Sequence, residues 1–302
     1  MANKILTIIV TYNGMKWIDK CLQSVLSSNI HSDIFVVDNA SSDSTPDYIA
    51  KNFPTILLTR SPKNLGFGAA NNIGLQYAID KGYDYVYLLN QDAWVKEDTF
   101  EKLISIQKQH PEYGILSPMQ LQPDENHFEP SFCKEISQCN NESKICEILF
   151  FQKKEYVIPY QMIMAAHWLI SKDCLNTVGG FSPAFFHYGE DTNYAERARK
   201  KGYKVGICST AKAIHDTKGR SSSEEKNIFF EYSEKIVEIS GYTYSIKHVI
   251  WRYTHDFVEK TILSPRSFLR RLNYYIKFLL RIPSLLKIKK HSLEERAFLK
   301  KI

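Results

Sequence analysis

The sequence predicts an α/β fold built on one wound, mostly parallel sheet, with its chemistry at the carboxyl ends of the strands. Three observations predict it. Short runs rich in apolar and β-branched residues, at 5–10, 34–37, 56–59 and 85–89, alternate with segments of helical periodicity. The connections are short, so each strand feeds a helix and the next strand returns parallel. The runs are continuously apolar rather than alternating, as expected of strands covered on both faces.

The elements follow in order. The first strand ends at Thr11-Tyr12-Asn13-Gly14, and a helix follows with Trp17, Ile18, Cys21, Leu22, Val25 and Leu26 on one face. The second stops at a turn running from Asp38 to Thr45, after which Pro46 opens a helix at the first-turn position that suits proline. The third leads through Asn64-Leu65-Gly66-Phe67-Gly68 into a helix over 69–79, and the fourth runs straight into Asn90-Gln91-Asp92. Then come a helix burying Phe100, Leu103 and Ile104, a strand at 113–117 and an irregular polar loop over 120–155. An apolar strand over 162–170 carries Trp168, and an aromatic, acidic loop covers 181–191. A helix over 192–201 is closed by Gly202, and strands at 205–208 and 211–214 end at His215, before a loop at 218–221. Beyond residue 231 the pattern is helical, divided by Pro265 and Pro283 into two or three helices.

At 302 residues and 44% hydrophobic, the chain is long enough for one large domain plus an appendage. The net charge of +6 is unevenly spread: residues 241–302 hold 14 Lys and Arg against 4 Asp and Glu, leaving 25 against 29 in the remainder. Basic character therefore belongs to the tail, and the domains expected are 1–235 and a basic helical extension over 236–302. Cys133, Cys139 and Cys146 lack the spacing of a zinc site. The apolar start at 5–10 is too short for a signal-peptide core, and no stretch reaches the ~18 apolar residues of a membrane span. A reducing, cytoplasmic location is the default expectation.

In open α/β sheets ligands bind outside the carboxyl ends of the strands. Asp92 there is placed to hold a divalent cation and, through it, a phosphate; the plainer alternative is a solvated turn. Tyr12 and Asp38 end neighbouring strands. The ring can stack on a base and the carboxylate can accept the imide N–H of uracil or thymine, although each also reads as core or turn. Gly66-Phe67-Gly68 resembles part of a dinucleotide fingerprint, but Asn71 stands where the third glycine belongs, which argues against nicotinamide binding. Glycines at a helix start still admit a phosphate or sugar close to the backbone. Asp191, after Glu190, reads either as the N-cap of the following helix or as a general base in an enclosed loop. Phe181, Phe185, Phe186, His187 and Tyr188 would be the aromatic walls for a sugar. His215 is either a core histidine or a second ligand for a cation on Asp92.

The ordered set Thr11-Tyr12-Asn13-Gly14, Val37-Asp38-Asn39-Ala40-Ser41-Ser42-Asp43, Asn64-Leu65-Gly66-Phe67-Gly68 with Asn71-Asn72-Ile73-Gly74, and Leu89-Asn90-Gln91-Asp92 resembles glycosyltransferase family 2. Gly179-Gly180-Phe181, Phe185-Phe186, Gly189-Glu190-Asp191 and His215 extend the likeness, which covers residues 4–220 and is strongest to bacterial rhamnosyltransferase-like enzymes of surface polysaccharide assembly. The resemblance implies a glycosyltransferase A-type, Rossmann-like domain. It implies an inverting transfer of a sugar, rhamnose among the candidates, from a nucleotide-diphosphate donor of UDP or dTDP type to a glycan or lipid-linked acceptor. Thr11, Tyr12, Asn13, Asp38, Asn64, Gly66, Asn71 and Gln91 would hold the donor. Asp92 and His215 would hold Mg²⁺ or Mn²⁺, and Asp191, with Glu190 beside it, would be the catalytic base. The family's metal motif often has two aspartates, and here the first is Asn90.

A sugar-nucleotide-binding protein without turnover and a sugar-1-phosphate nucleotidyltransferase are the competing readings. The second would carry a basic, glycine-rich loop after the first strand, where this chain has Thr11-Tyr12-Asn13-Gly14. The tail interleaves its cations with Leu, Ile and Phe, which suits a lipid surface better than nucleic acid; an ordinary packed helical subdomain is the alternative. A peripheral position at the inner face of the cell membrane and a homodimer complete the expectations.

Overall fold

The computed structural model describes residues 3–137, 157–219 and 223–300. Cys139, Cys146, Arg220, Ser221 and the second half of the loop expected over 120–155 lie outside them.

Nine strands form one sheet: β1 (Ile5–Thr11), β2 (Asp33–Asp38), β3 (Leu57–Arg60), β4 (Tyr85–Asn90), β5 (Ala93–Val95), β6 (Tyr113–Leu121), β7 (Val157–Tyr160), β8 (His167–Ser171) and β9 (Lys204–His215). Their order is β3-β2-β1-β4-β8-β6-β9-β5, with β7 on β9. β3, β2, β1 and β4 pair parallel, β8 runs antiparallel between β4 and β6, and β9 is parallel to β6. β5 and β7 each run antiparallel to β9.

The apolar runs are continuous because the sheet is covered on both sides. On β1, Leu6 and Ile8 enter a core with Val86, Leu88, Trp168 and Phe181, whereas Ile5 and Ile9 enter the opposite one with Tyr87, Leu89 and Phe100. The first core is closed by α3 (Phe67–Asp80), α6 (Lys172–Val178) and α7 (Glu190–Lys200). The second is closed by α1 (Ile18–Leu26), α2 (Thr45–Asn52) and α4 (Thr99–Gln109).

Several boundaries differ from expectation for identifiable reasons. Leu26, expected inward, is exposed at the end of α1. The strand expected over 162–170 begins only at His167, because the segment before it turns to let Ile163 O accept the Trp168 indole N–H (3.0 Å). The two strands expected after Gly202 are one, bent where the β6 register jumps between Pro118 and Met119. A helix, α5 (Pro130–Ser137), lies in the segment expected to be irregular, held at its start by Phe132 N–H donating to buried Glu129 (2.7 Å). Gly202 does close α7 as expected: it has φ +93°, and it and Tyr203 donate to Arg199 O and Ala198 O (both 3.0 Å).

The C-terminal part forms α8 (Glu224–Ser240), α9 (Ile246–Leu263) and α10 (Phe268–His291). Pro265 separates α9 from α10 as expected, but Pro283 lies inside α10. The missing hydrogen bond is tolerated there because Phe278 and Leu285, on either side of it, are fully buried. These helices share a core that includes Ala184 and Phe185, and α8 runs unbroken through residue 235. The chain then returns to the sheet domain, where Gly180 N–H donates to Ala297 O (2.8 Å) and Lys300 N–H to Gln76 (2.7 Å). Among the described residues no helix is long and apolar enough to cross a membrane.

Candidate active site

The parallel strands deliver Thr11, Asp38 and Asn90 to one edge, with Thr11 opposite Asp38 and Val10 opposite Asn90 in the register. Buried Asp38 is held by Thr11 Oγ1 (3.1 Å), Ser41 N–H (3.2 Å) and the Ser41 hydroxyl. Asn13, at φ +51°, accepts from Ser42 N–H (2.8 Å) and so laces the first loop to the second. Gln91 pairs with the Tyr12 backbone in both directions, its Oε1 accepting Tyr12 N–H (2.9 Å) and its Nε2 donating to Tyr12 O (3.1 Å). Tyr12 keeps its ring 47% exposed beside these rigid loops, available to stack on a planar ligand.

Asn64 and Gly66 have a structural job that the sequence left open. Asn64 accepts from Gly66 N–H (2.9 Å) and from the amide of Asn39 (3.0 Å), and Asn39 in turn accepts Leu65 N–H (2.7 Å). Gly66 has φ +81°, and a Cβ there would stand 2.0 Å from Phe186 O. The close approach expected of a phosphate is thus made by the 181–189 loop. Asn71 is buried and donates back to Phe67 O (3.0 Å), so it stands inside α3 and away from that edge. Phe181 and Phe185 are core residues, leaving Phe186, His187 and Tyr188 as the accessible members of the expected aromatic wall.

Asp92 and His215 come together from distant parts of the sequence. β5 pairs with β9 so that Ala93 faces His215, and Asp216 N–H donates to Asp92 O (2.8 Å). Both side chains are buried, with His215 Nε2 3.5 Å from Asp92 Oδ1. One cation ~2.1–2.2 Å from each atom would subtend roughly 110°, so a carboxylate oxygen and an imidazole nitrogen at this spacing fit a divalent ion whose other ligands are phosphates and water. His215 of β9 thus stands beside Asp92, at the spacing a second ligand would need in place of Asn90.

Glu190 and Asp191 open α7, whose N-cap is Gly189 at φ +93°. Asp191 is therefore inside the helix and is not its cap. Asp191 Oδ1 accepts Thr192 N–H (2.7 Å), and the Ala165 N–H also donates to this carboxylate. The next residue, Ala166, accepts Asn90 N–H (3.0 Å), which ties Asp191 to the end of β4. Asp191 is half-buried, whereas Glu190 is 5% exposed and its Oε2 finds no hydrogen-bond donor among the described residues. Burial, and then the charge of Asp191, push Glu190 up to about 8; burial also raises Asp191, against the pull of its backbone donors. Burial thus raises both carboxyls, and Asp191 is the more exposed of the two.

A third carboxylate, Glu135 of α5, accepts Met164 N–H (3.2 Å) next to the Ala165 donor, and burial followed by Asp191 raises it to about 8. Its segment reads as irregular, so nothing in the sequence pointed to it. Both glutamates are raised carboxylates, so their contribution is complete below the unfolded value of 4.5 and is lost as pH rises through about 8. The melting temperature is expected to fall between pH 6 and pH 9, and Glu190→Gln to flatten that fall, by ~2–4 °C for each kcal/mol recovered at pH 9. An identical slope in the variant would remove Glu190 as its source.

His167 is a further buried polar residue that went unnoticed, since it opens an apolar strand. Its Nε2–H donates to Ile214 O (3.0 Å), its Nδ1 accepts from the Tyr87 hydroxyl (2.8 Å), and its ring meets that of His215 edge to face at 6.5 Å.

Residues 7–160, just over half of the chain, match the family model for Glycosyl transferase family 2. The chain belongs to glycosyl transferase family 2. This family 2 glycosyltransferase is 23% identical over 236 residues to the N-acetylglucosaminyl-diphospho-decaprenol L-rhamnosyltransferase of Mycobacterium tuberculosis, covering 71% of this chain and 76% of that one. It is 26% identical to a low-salt glycan biosynthesis hexosyltransferase of Haloferax volcanii, covering 87% of each. Among solved structures, a mannosyltransferase of Pyrobaculum calidifontis in complex with GDP-Man and Mn²⁺ superposes with a TM-score of 0.57 at 18% identity, over 97% of this chain and 74% of that chain. The 1–349 fragment of S. aureus TarS in complex with UDP gives 0.56 at 15% identity, over 96% and 88%. The family 2 glycosyltransferase spans 43% of the longer TarS chain. These likenesses agree with the A-type glycosyltransferase fold.

Proposed function

We propose that this enzyme transfers a hexose, rhamnose foremost, from a nucleoside-diphosphate donor of UDP or dTDP type to a hydroxyl of a glycan or lipid-linked saccharide, with inversion. The observation that carries this reading is the convergence of Asp38, the Asp92–His215 pair and Asp191 on the carboxyl edge of one sheet. Similarity to proteins named as rhamnosyl- and hexosyltransferases supports the substrate class.

Asp38 accepts the imide N–H of the base while Tyr12 stacks on it. Asp92 and His215 would hold the divalent cation, Mg²⁺ or Mn²⁺, which when bound supplies positive charge against the diphosphate. Asp191 takes the proton of the acceptor hydroxyl as that oxygen attacks the anomeric carbon from the face opposite the diphosphate. The carbon–oxygen bond to the diphosphate breaks and its electron pair leaves with the nucleotide. One displacement inverts the anomeric centre, and no covalent intermediate forms. Calorimetry with a panel of nucleotide sugars tests the donor: uridine or thymidine compounds should bind, and Asp38→Ala should weaken both. Equal affinity in Asp38→Ala would remove that residue from the base pocket.

The acceptor reading places the enzyme on the inner, anionic face of a membrane through α9 and α10. At the turn between them Ile262, Leu263 and Leu269 are 72, 76 and 75% exposed, with Arg266 and Arg270 alongside. Apolar side chains ringed by cations match an interfacial anchor, each basic residue near an anionic surface contributing ~1 kcal/mol. Leu263→Asp with Leu269→Asp should release the protein from anionic vesicles without lowering its melting temperature. Unchanged vesicle binding by the double variant would rule out this turn as the anchor. Deleting the tail is a poorer test, since residues 297 and 300 pack back onto the sheet domain.

A further inference from the structure

Resting on the reading of Asp92 and His215 as cation ligands, we propose that His167 is a positioning residue that sets their separation, acting through the end of β9. The sheet parts at this point. β6 pairs with β9 from Tyr113 to Leu121 but with β8 at Ile115 and Leu116, so beyond Leu116 it leaves β8. Beyond that fork His167, fully buried, reaches from β8 to β9 with its side chain and bonds the carbonyl of Ile214, the residue before His215. A carbonyl only accepts, so Nε2 carries the proton and Nδ1 offers a lone pair to the Tyr87 hydroxyl.

Tyr87 is itself immobilised. It lies in the middle of β4, fully buried, with its ring edge-on to Phe100 of α4 at 4.8 Å. β4 also leads into Asp92. The chain of contacts Tyr87–His167–Ile214 therefore ties the strand that presents the carboxylate to the strand that presents the imidazole. β5 pairing and the bond from Asp216 N–H to Asp92 O hold the two ligand backbones side by side, and the two hydrogen bonds of the buried His167 ring add a tie from β4 to β9 across the fork. Groups that orient metal ligands from behind in this way typically change metal affinity ~10–100-fold when removed.

The test measures Mn²⁺ affinity by electron paramagnetic resonance of the free ion, in the presence of dTDP, alongside the melting temperature and donor KM and kcat. His167→Leu should weaken Mn²⁺ binding ~10-fold or more. His167→Gln, which keeps an N–H for Ile214 O and an oxygen for Tyr87, should restore it to within ~3-fold of the starting protein. Leu169→Ala, a cavity in the same strand that leaves Ile214 untouched, should lower the melting temperature with no change in Mn²⁺ affinity. If His167→Leu does not fold, Tyr87→Phe carries the test, because it removes one hydroxyl and keeps the ring packing; a ~3-fold weaker affinity is expected. Wild-type Mn²⁺ affinity in the folded His167→Leu or Tyr87→Phe protein overturns the proposal. So does an equal loss in Leu169→Ala, which would reduce the effect to stability. Absence of Mn²⁺ binding in the unaltered enzyme would instead overturn the cation reading itself, and this proposal with it.

Discussion

Asp191→Asn is expected to lower turnover by the ~10²–10⁴-fold typical of losing a general base, with donor affinity and melting temperature barely changed. The substitution keeps size and an oxygen that can accept the N–H groups of Thr192 and Ala165, so the start of α7 stays anchored. What is lost is the ability to take a proton. Because Gly189 caps the helix, conversion of Asp191 cannot act by uncapping it. Burial raises the Asp191 carboxyl, so turnover in the unaltered enzyme should climb with pH as that group ionises, and the variant should lack that limb. Near-normal turnover in a folded Asp191→Asn protein would shift the base to Glu190 or Glu135, and the single-displacement scheme would fail as drawn.

Asp92→Ala is expected to lower transfer ~10²–10³-fold, on the scale of removing one group that stabilises developing charge. His215 would then face that spot without its carboxylate neighbour. The effect should divide differently from that at Asp191. Nucleotide-sugar affinity and Mn²⁺ affinity both fall, whereas binding of the nucleoside alone, through Tyr12 and Asp38, persists. A variant that turns over normally in the presence of chelator would mean that the diphosphate is neutralised by protein groups alone.

Much of this arrangement was legible in the residues. Of the four parallel strands, β1, β2 and β4 were readable because burial on both faces forbids polar interruptions, so each run announced its own ends; β3, at the sheet edge, is only partly covered. Those ends carried Tyr12, Asp38 and Asp92 to one edge by topology alone. Legibility failed where a residue's role depends on what folds over it. Gly66 reads as a ligand glycine, yet Phe186 O occupies the space beside it. Asp191 reads as an N-cap because Asp is good at capping, but a glycine in the left-handed region two residues earlier took that place. Phe185 reads as a sugar wall and is instead shared with the helical core that α8, α9 and α10 build. His167 and Glu135 had no local signal at all, since their partners, Ile214 and Met164, lie 47 and 29 residues away.

The carboxyl edge of this sheet is expected to move a sugar. The direct measurement supplies dTDP- and UDP-sugars, Mn²⁺ and a lipid-linked saccharide extract, and follows nucleoside diphosphate release together with the mass of the saccharide product. The account predicts that one donor yields nucleoside diphosphate and an acceptor heavier by one hexose residue in equal amounts, with an inverted linkage and no product from Asp191→Asn. Binding of a donor without release under any condition would identify a sugar-nucleotide-binding protein, and formation of a nucleotide sugar from nucleoside triphosphate and sugar 1-phosphate would identify a nucleotidyltransferase; either would contradict it.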